Sequence, residues 1–181
     1  MRKKGILFYF KTILIVIGLL FLLNTTYSCD YTARKFGDII QRHCREFNVE
    51  PALIFAVAET ESHFNPHAES IAGAIGIMQI MPNTAEWIAS SLNVEIIRQD
   101  LYDPEINIRF ATFYLSYLFS IFDDPWQVIA AYNAGEGRVR EWIKSGITSP
   151  DNIPLEETVY YVEKVERALS YYRKKKFAAF D

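Results

Sequence analysis

The sequence predicts a single, mostly α-helical domain with one short loop or extended segment set among the helices. Apolar residues recur at spacings of three and four in successive stretches, and the breaks between stretches carry Asx-Pro and glycine signals. No two strand-like runs flank a tight turn, so there is no hairpin signal. At 181 residues, half of them apolar and 15% aromatic, the chain suits one well-packed domain and not a disordered polymer.

Residues 1–28 are of a different character. Arg2, Lys3 and Lys4 precede an apolar run from Thr12 to Leu23, and small polar residues follow up to Ser28. A basic start, an apolar stretch and small residues at Thr26 and Ser28 describe a secretion signal cleaved after Ser28. Setting Lys11 aside, residues 5–23 also reach the length of an uncleaved membrane anchor. Lipidation of Cys29 is a third course, although Thr26 and Tyr27 make a poor context for it. The expectation is an exported protein, with residues 1–28 as signal peptide or anchor and a domain from about 30 to 175.

Residues 1–28 hold four of the 19 basic side chains and none of the 22 acids, which leaves the remainder at a formal net of −7. So acidic a domain has no electrostatic footprint for nucleic acid. The one basic cluster, RKKK at 173–176, reads as a favourable end to the last helix, set in solvent. Cys29 and Cys44 are the only cysteines, and nothing in the sequence decides whether they pair.

The helices follow in order. Residues 32–47 place Phe36, Ile39, Ile40 and Phe47 at roughly helical spacing, with His43 as a surface residue. Pro51 opens a second helix that runs to about His63 and is stopped by Asn65-Pro66. Residues 66–81, with Gly73 and Gly76, read as the loop or extended segment, and a helix follows from about Asn83 to Leu92. Asp103-Pro104 opens a long helix to about Phe122, and Asp124-Pro125 opens another that Gly135 closes. A helix over 138–145 ends at Gly146, and the last helix carries Val159, Val162, Val165 and Leu169 as its apolar stripe.

Glu61 is the residue with the most chemical promise. The helix before it is apolar from Ala52 to Ala58, so the helix is buried on most sides, and Val57 and Ala58 lie on the same face as Glu61. Desolvation and the negative end of the helix both disfavour a carboxylate, so its pKa should rise and suit a general acid. The plainer alternative is a partly exposed glutamate at a helix end. A second carboxylate is not evident: Glu59 points elsewhere, and Glu69, Asp103 and Glu157 serve only if the fold gathers them. His63 and His67 do not make a metal site, because Asn65-Pro66 breaks the helix that would present both. Gln79 would be costly to bury without a polar partner, and Tyr132 and Asn133 arrive at a helix end just before a glycine turn.

The segments ESHFNPHAES, GAIGIMQIMPNTA, NIRFATFYL, AAYNAGEGRV and IPLEETVYYV together resemble the soluble lytic transglycosylase catalytic domain. This is a lysozyme-like family of the glycoside hydrolase family 23 type. The resemblance spans most of residues 48–166, with Ile77 and Ala111 as mild departures from the family's usual leucine and glycine. It implies a lysozyme-like fold and non-hydrolytic cleavage of peptidoglycan strands, ending in 1,6-anhydromuramic acid, with no cofactor and no metal. By position it implies Glu61 as acid and base. Ser70, Gln79, Met81, Tyr132 and Glu157 are implied as residues contacting the glycan, with Asn133 supporting the cleft. It also implies a bacterial periplasm or cell envelope as the location. A goose-type lysozyme-like hydrolase of peptidoglycan or chitin and a non-catalytic glycan-binding protein are the competing readings. End-on versus internal cleavage, the oligomeric state, and a role in wall turnover or beside an envelope assembly partner stay open.

Overall fold

The structure is a computed structural model that describes residues 35–175. The chain divides between Lys35 and Phe36, and the fold belongs to the unit from Phe36 onward. The expectations for residues 1–28 and for Cys29 lie outside the described residues.

Among the described residues this unit holds seven α-helices: α1 (Gly37–Phe47), α2 (Pro51–Ser62), α3 (Pro82–Leu92), α4 (Pro104–Ile121), α5 (Pro125–Ala134), α6 (Glu136–Lys144) and α7 (Glu156–Lys174). Among the described residues there is no named strand. Two isolated antiparallel bridges, Glu69–Ile75 and Ile75–Ile80, give the 66–81 segment the short extended character read from its sequence.

Proline supplies four of the starts. Pro51, Pro82, Pro104 and Pro125 are each the first helical residue, where a missing N–H costs nothing and the fixed φ already suits a helix. Asp103 adds a side-chain cap, accepting the Glu105 N–H at 2.8 Å. The stops are left-handed residues. Asn48, His63 and Asn93 have φ of 54°, 51° and 53°. The end of α2 thus comes at His63, ahead of the Asn65-Pro66 break. Gly135, at φ 87°, lets α6 begin directly after α5, two residues earlier than its periodicity indicates. Two 3-10 turns, Arg98–Tyr102 and Pro150–Asn152, carry no 3.6-residue pattern and were not legible in the sequence.

Helix α2 is the centre of the core. Leu53 through Ala58 are all buried, so no side of this stretch faces water, and its principal neighbour is α7. The stripe that α7 lays down is Thr158, Tyr161, Val162, Val165, Leu169 and Tyr172. Val159 is only partly buried and its expected place is taken by Thr158 and Tyr161. Helix α1 packs on α4. His43, expected on the surface, is 4% exposed there, with its ring nitrogens 2.8 Å from Glu46 and 2.8 Å from Glu105. The packing of α1 on α4 turns that helix face inward. Arg173 is exposed, as expected, and forms a bidentate surface pair with Glu50 at 2.8 and 2.6 Å. No helix among the described residues is long and apolar enough to cross a membrane.

Candidate active site

Glu61 sits in the last turn of α2, carried there by the buried stretch before it. Its carboxyl is partly buried, and Tyr161 of α7 donates a hydrogen bond to Oε1 at 2.7 Å. Burial pushes the Glu61 pKa from 4.5 up to about 7, while the Tyr161 hydrogen bond and the Lys164 charge pull the other way. Burial and the Glu61 charge hold the Tyr161 hydroxyl well above its usual range, so it remains a donor.

The glycine segment is gripped from several helices. Ser62 Oγ donates to the Ile77 carbonyl at 2.7 Å and accepts the Asn65 N–H at 3.0 Å. Asn107 of α4 is fully buried and makes three bonds: it accepts the Met78 N–H at 2.8 Å and donates to the carbonyls of Ile75 at 2.9 Å and Leu101 at 2.8 Å. Tyr132 of α5 donates to the Met78 carbonyl at 2.7 Å. Gly76 permits this convergence. A Cβ there would lie 2.4 Å from the Leu101 oxygen and 2.5 Å from Asn107 Nδ2, and its φ of +82° already favours glycine. The result is a largely apolar segment, locked through its backbone groups, with Ser62 tying it to the end of α2 that carries Glu61.

The other residues named from the sequence fall as follows. Ser70 accepts the Ala74 N–H through Oγ at 2.9 Å, which leaves its single O–H free to donate. Gln79, in the left-handed region at φ 49°, donates to the carbonyls of Gly76 at 2.9 Å and Ala68 at 3.2 Å. The polar partner expected for it is therefore backbone. Met81 is 40% exposed at the entry to α3. Tyr132 has its pKa raised by burial and by the Glu61 charge, which puts it in electrostatic contact with that carboxyl. Asn133 is exposed and accepts from Thr158 Oγ1 at 2.8 Å, tying the end of α5 to the start of α7. Glu157 is exposed one turn ahead of Tyr161 on α7, on the same side of that helix.

Of the other carboxylates, Glu69 is held by Arg98 and by the Tyr102 hydroxyl, each at 2.5 Å, and Asp103 is spent as the α4 cap. Neither is available as an unengaged partner for Glu61. Two residues that matter to this geometry were missed from the sequence, Tyr161 and Asn107, whereas Ser62 stood out there as the serine paired with Glu61 at the helix end. A polar Asn107 spaced by fours from Ala111 and Leu115 on an otherwise apolar face was a legible signal. Tyr161 was not, since only the packing of α7 on α2 aims it at Glu61.

The sequence and the fold have known counterparts. Residues 38–153 match the family model described as the transglycosylase SLT domain. The chain is 35% identical over 147 residues to the soluble lytic murein transglycosylase of Salmonella typhimurium, an alignment covering 76% of this chain and 23% of that protein. It is also 34% identical over 131 residues to the membrane-bound lytic murein transglycosylase C of Haemophilus ducreyi, covering 66% of this chain and 36% of the relative. Among solved structures, the fold is similar to the 70 kDa soluble lytic transglycosylase of Escherichia coli. The TM-score is 0.73 at 34% identity, over 78% of this chain and 24% of that one. A 70 kDa soluble lytic transglycosylase in complex with bulgecin A gives a TM-score of 0.74 at 34% identity, over 78% of this chain and 24% of that one. The chain thus spans about a quarter to a third of the length of the relatives it matches. With a family model matched over more than half of its length, this chain belongs to the transglycosylase SLT domain family.

Proposed function

We propose that this protein is a peptidoglycan lytic transglycosylase in which Glu61 serves as the acid and then the base. The observation that carries the reading is the Glu61 carboxyl with its pKa pushed up to about 7 and its Oε1 engaged by Tyr161. A group titrating near neutrality is well matched both to give a proton and to take one back. Family membership and the relatives named as lytic murein transglycosylases support the same reading.

The steps follow from these groups. Tyr161 donates to Oε1, so the acidic proton belongs on Oε2, and from there it passes to the glycosidic oxygen between N-acetylmuramic acid and N-acetylglucosamine. Loss of that proton leaves a carboxylate, and the Tyr161 hydrogen bond, now charge-assisted, strengthens as it forms. The bond from the muramic C1 to the glycosidic oxygen breaks, and the N-acetylglucosamine leaves with the proton as its 4-hydroxyl. The positive charge that develops at C1 is stabilised by the muramic sugar's own 2-acetamido group. The Ser70 hydroxyl, with its proton unspent, is suited to orient that acetamido group. Ionised Glu61 then removes the proton of the muramic 6-hydroxyl, which attacks C1 and closes the 1,6-anhydro ring. One carboxyl acts twice; Glu69 and Asp103 are engaged elsewhere, and Glu157 is assigned to contact with the glycan.

Gln79, Met81, Tyr132 and Glu157 are the residues proposed to meet the glycan, with Asn133 holding α5 to α7 beneath them. Residues 1–28 are proposed as a signal peptide or membrane anchor, which places the domain in a bacterial periplasm or cell envelope.

The test is to digest purified peptidoglycan with the protein and with Glu61→Gln, and to weigh the released muropeptides. Anhydro products, one water lighter than hydrolytic ones and absent with the variant, are expected. Reducing ends from the wild type would make the protein a hydrolase, and glycan binding without any release would make it a binding protein.

A further inference from the structure

Glu69, which the sequence offers as a second carboxylate only if the fold gathers it, is put to a different use. Both of its oxygens are taken: Arg98 Nη2 donates to Oε1 and the Tyr102 hydroxyl donates to Oε2, each at 2.5 Å. Arg98 and Tyr102 are the two ends of one 3-10 turn. Leu101 lies between them, buried, and its carbonyl accepts from Asn107 Nδ2 at 2.8 Å. The same Nδ2 donates to the Ile75 carbonyl at 2.9 Å, and Ile75 is the bridge partner of Glu69. The contacts close into a ring that runs from Glu69 to the turn, to Asn107, to Ile75 and back to Glu69.

Ser70 is the next residue, at the neck of a tight turn. Its N–H donates to the Ala74 carbonyl, its carbonyl accepts the Gly73 N–H and its Oγ accepts the Ala74 N–H, each at 2.9 Å. All three bonds stay within 70–74, so they shape the turn without fixing where it stands, and Ile71 at its tip is fully exposed. The Glu69 side chain supplies an outside tie, because it reaches a 3-10 turn that Leu101 seats in the core. The Arg98 and Glu69 side chains are 49% and 45% exposed, and ion pairs this open to water add little to global stability. What the pair can set is the place of its neighbour.

We propose that Glu69, Arg98 and Tyr102 are positioning residues for the reaction: without touching the glycan, the two donors clamp the Glu69 carboxylate and so hold Ser70 where it meets the muramic 2-acetamido group. This inference rests on the function proposed above and on the part given there to Ser70. A misplacement of about 1 Å can cost up to about a hundredfold in rate, so a contact that matters little to folding matters far more to the chemistry.

The test measures the rate of anhydro-product release from soluble peptidoglycan strands by the full chain, beside thermal unfolding of each variant. Arg98→Ala is expected to lower kcat about tenfold while KM stays within about twofold and Tm within about 4 °C of the wild type. Arg98→Lys, which keeps a charged donor, should recover most of that loss, and Tyr102→Phe should lower kcat in the same direction. Ser70→Ala should itself cost about tenfold in kcat. Adding Arg98→Ala to it should then cost less than about twofold more, because the clamp acts through that serine. Losses that multiply in the combined variant, a fall in Tm that tracks the fall in rate, or no loss from Ser70→Ala or Arg98→Ala would each overturn the proposal. Anhydro product released at the wild-type rate by Arg98→Ala keeps the reaction and removes the clamp. A wild type that makes no anhydro product removes the reaction and, with it, the clamp's part in it.

Discussion

Replacing Glu61 with glutamine should abolish cleavage and, above neutrality, make the folded protein more stable. The Glu61 carboxyl is raised from 4.5 to about 7 in the fold. Between those values the folded chain holds a proton that the unfolded chain has released, so stability falls as pH rises through that window and the full cost is present above it. At 1.36 kcal/mol per unit the shift corresponds to about 3 kcal/mol, and residual solvent contact at this partly buried residue reduces it to about 2 kcal/mol. Glutamine cannot ionise and keeps an oxygen for the Tyr161 hydroxyl, so the variant escapes that cost. Urea unfolding of both proteins near pH 4 and near pH 8 reads it directly. The curves should nearly coincide at the acidic end and separate by about 2 kcal/mol at the alkaline end, in favour of the variant. A constant offset at both values would refute the reasoning, because it would show that ionisation of Glu61 does not oppose folding.

Tyr161→Phe removes a hydrogen bond that lowers the Glu61 pKa, so the alkaline limb of the pH–rate profile should move to higher pH. The maximal rate should fall about tenfold, the worth of a hydrogen bond to a charged group; a limb that stays in place counts against the assignment. Asn107→Ala strands the Met78 N–H and the carbonyls of Ile75 and Leu101, and should cost about 3 kcal/mol or more in urea unfolding. A loss below about 1 kcal/mol would mean the segment is anchored elsewhere. Gly76→Ala should destabilise by more than about 2 kcal/mol, since its Cβ meets the Leu101 backbone oxygen at 2.4 Å and its φ is +82°. Thermal unfolding close to that of the wild type would show that the close approach can relax.

The sequence alone determined the helices and most of their ends. Proline at four first positions, the apolar run of α2 and the glycine at 135 act through local backbone sterics and burial, which are written into adjacent residues. It also singled out Glu61, because a carboxyl at the end of a fully apolar helix turn is chemically out of place. What it could not determine depends on side chains meeting across long separations. Tyr161 reaches Glu61 from 100 residues away, and its neighbour Tyr160 is 61% exposed, so the phase of α7 against α2 decides which tyrosine serves. Asn107 grips Ile75 and Met78 only once α4 crosses that segment. His43 looked like a surface residue until α1 closed on α4 and enclosed it between Glu46 and Glu105. Local chemistry fixes what each residue can offer, and only the packing of one helix on another fixes what it meets.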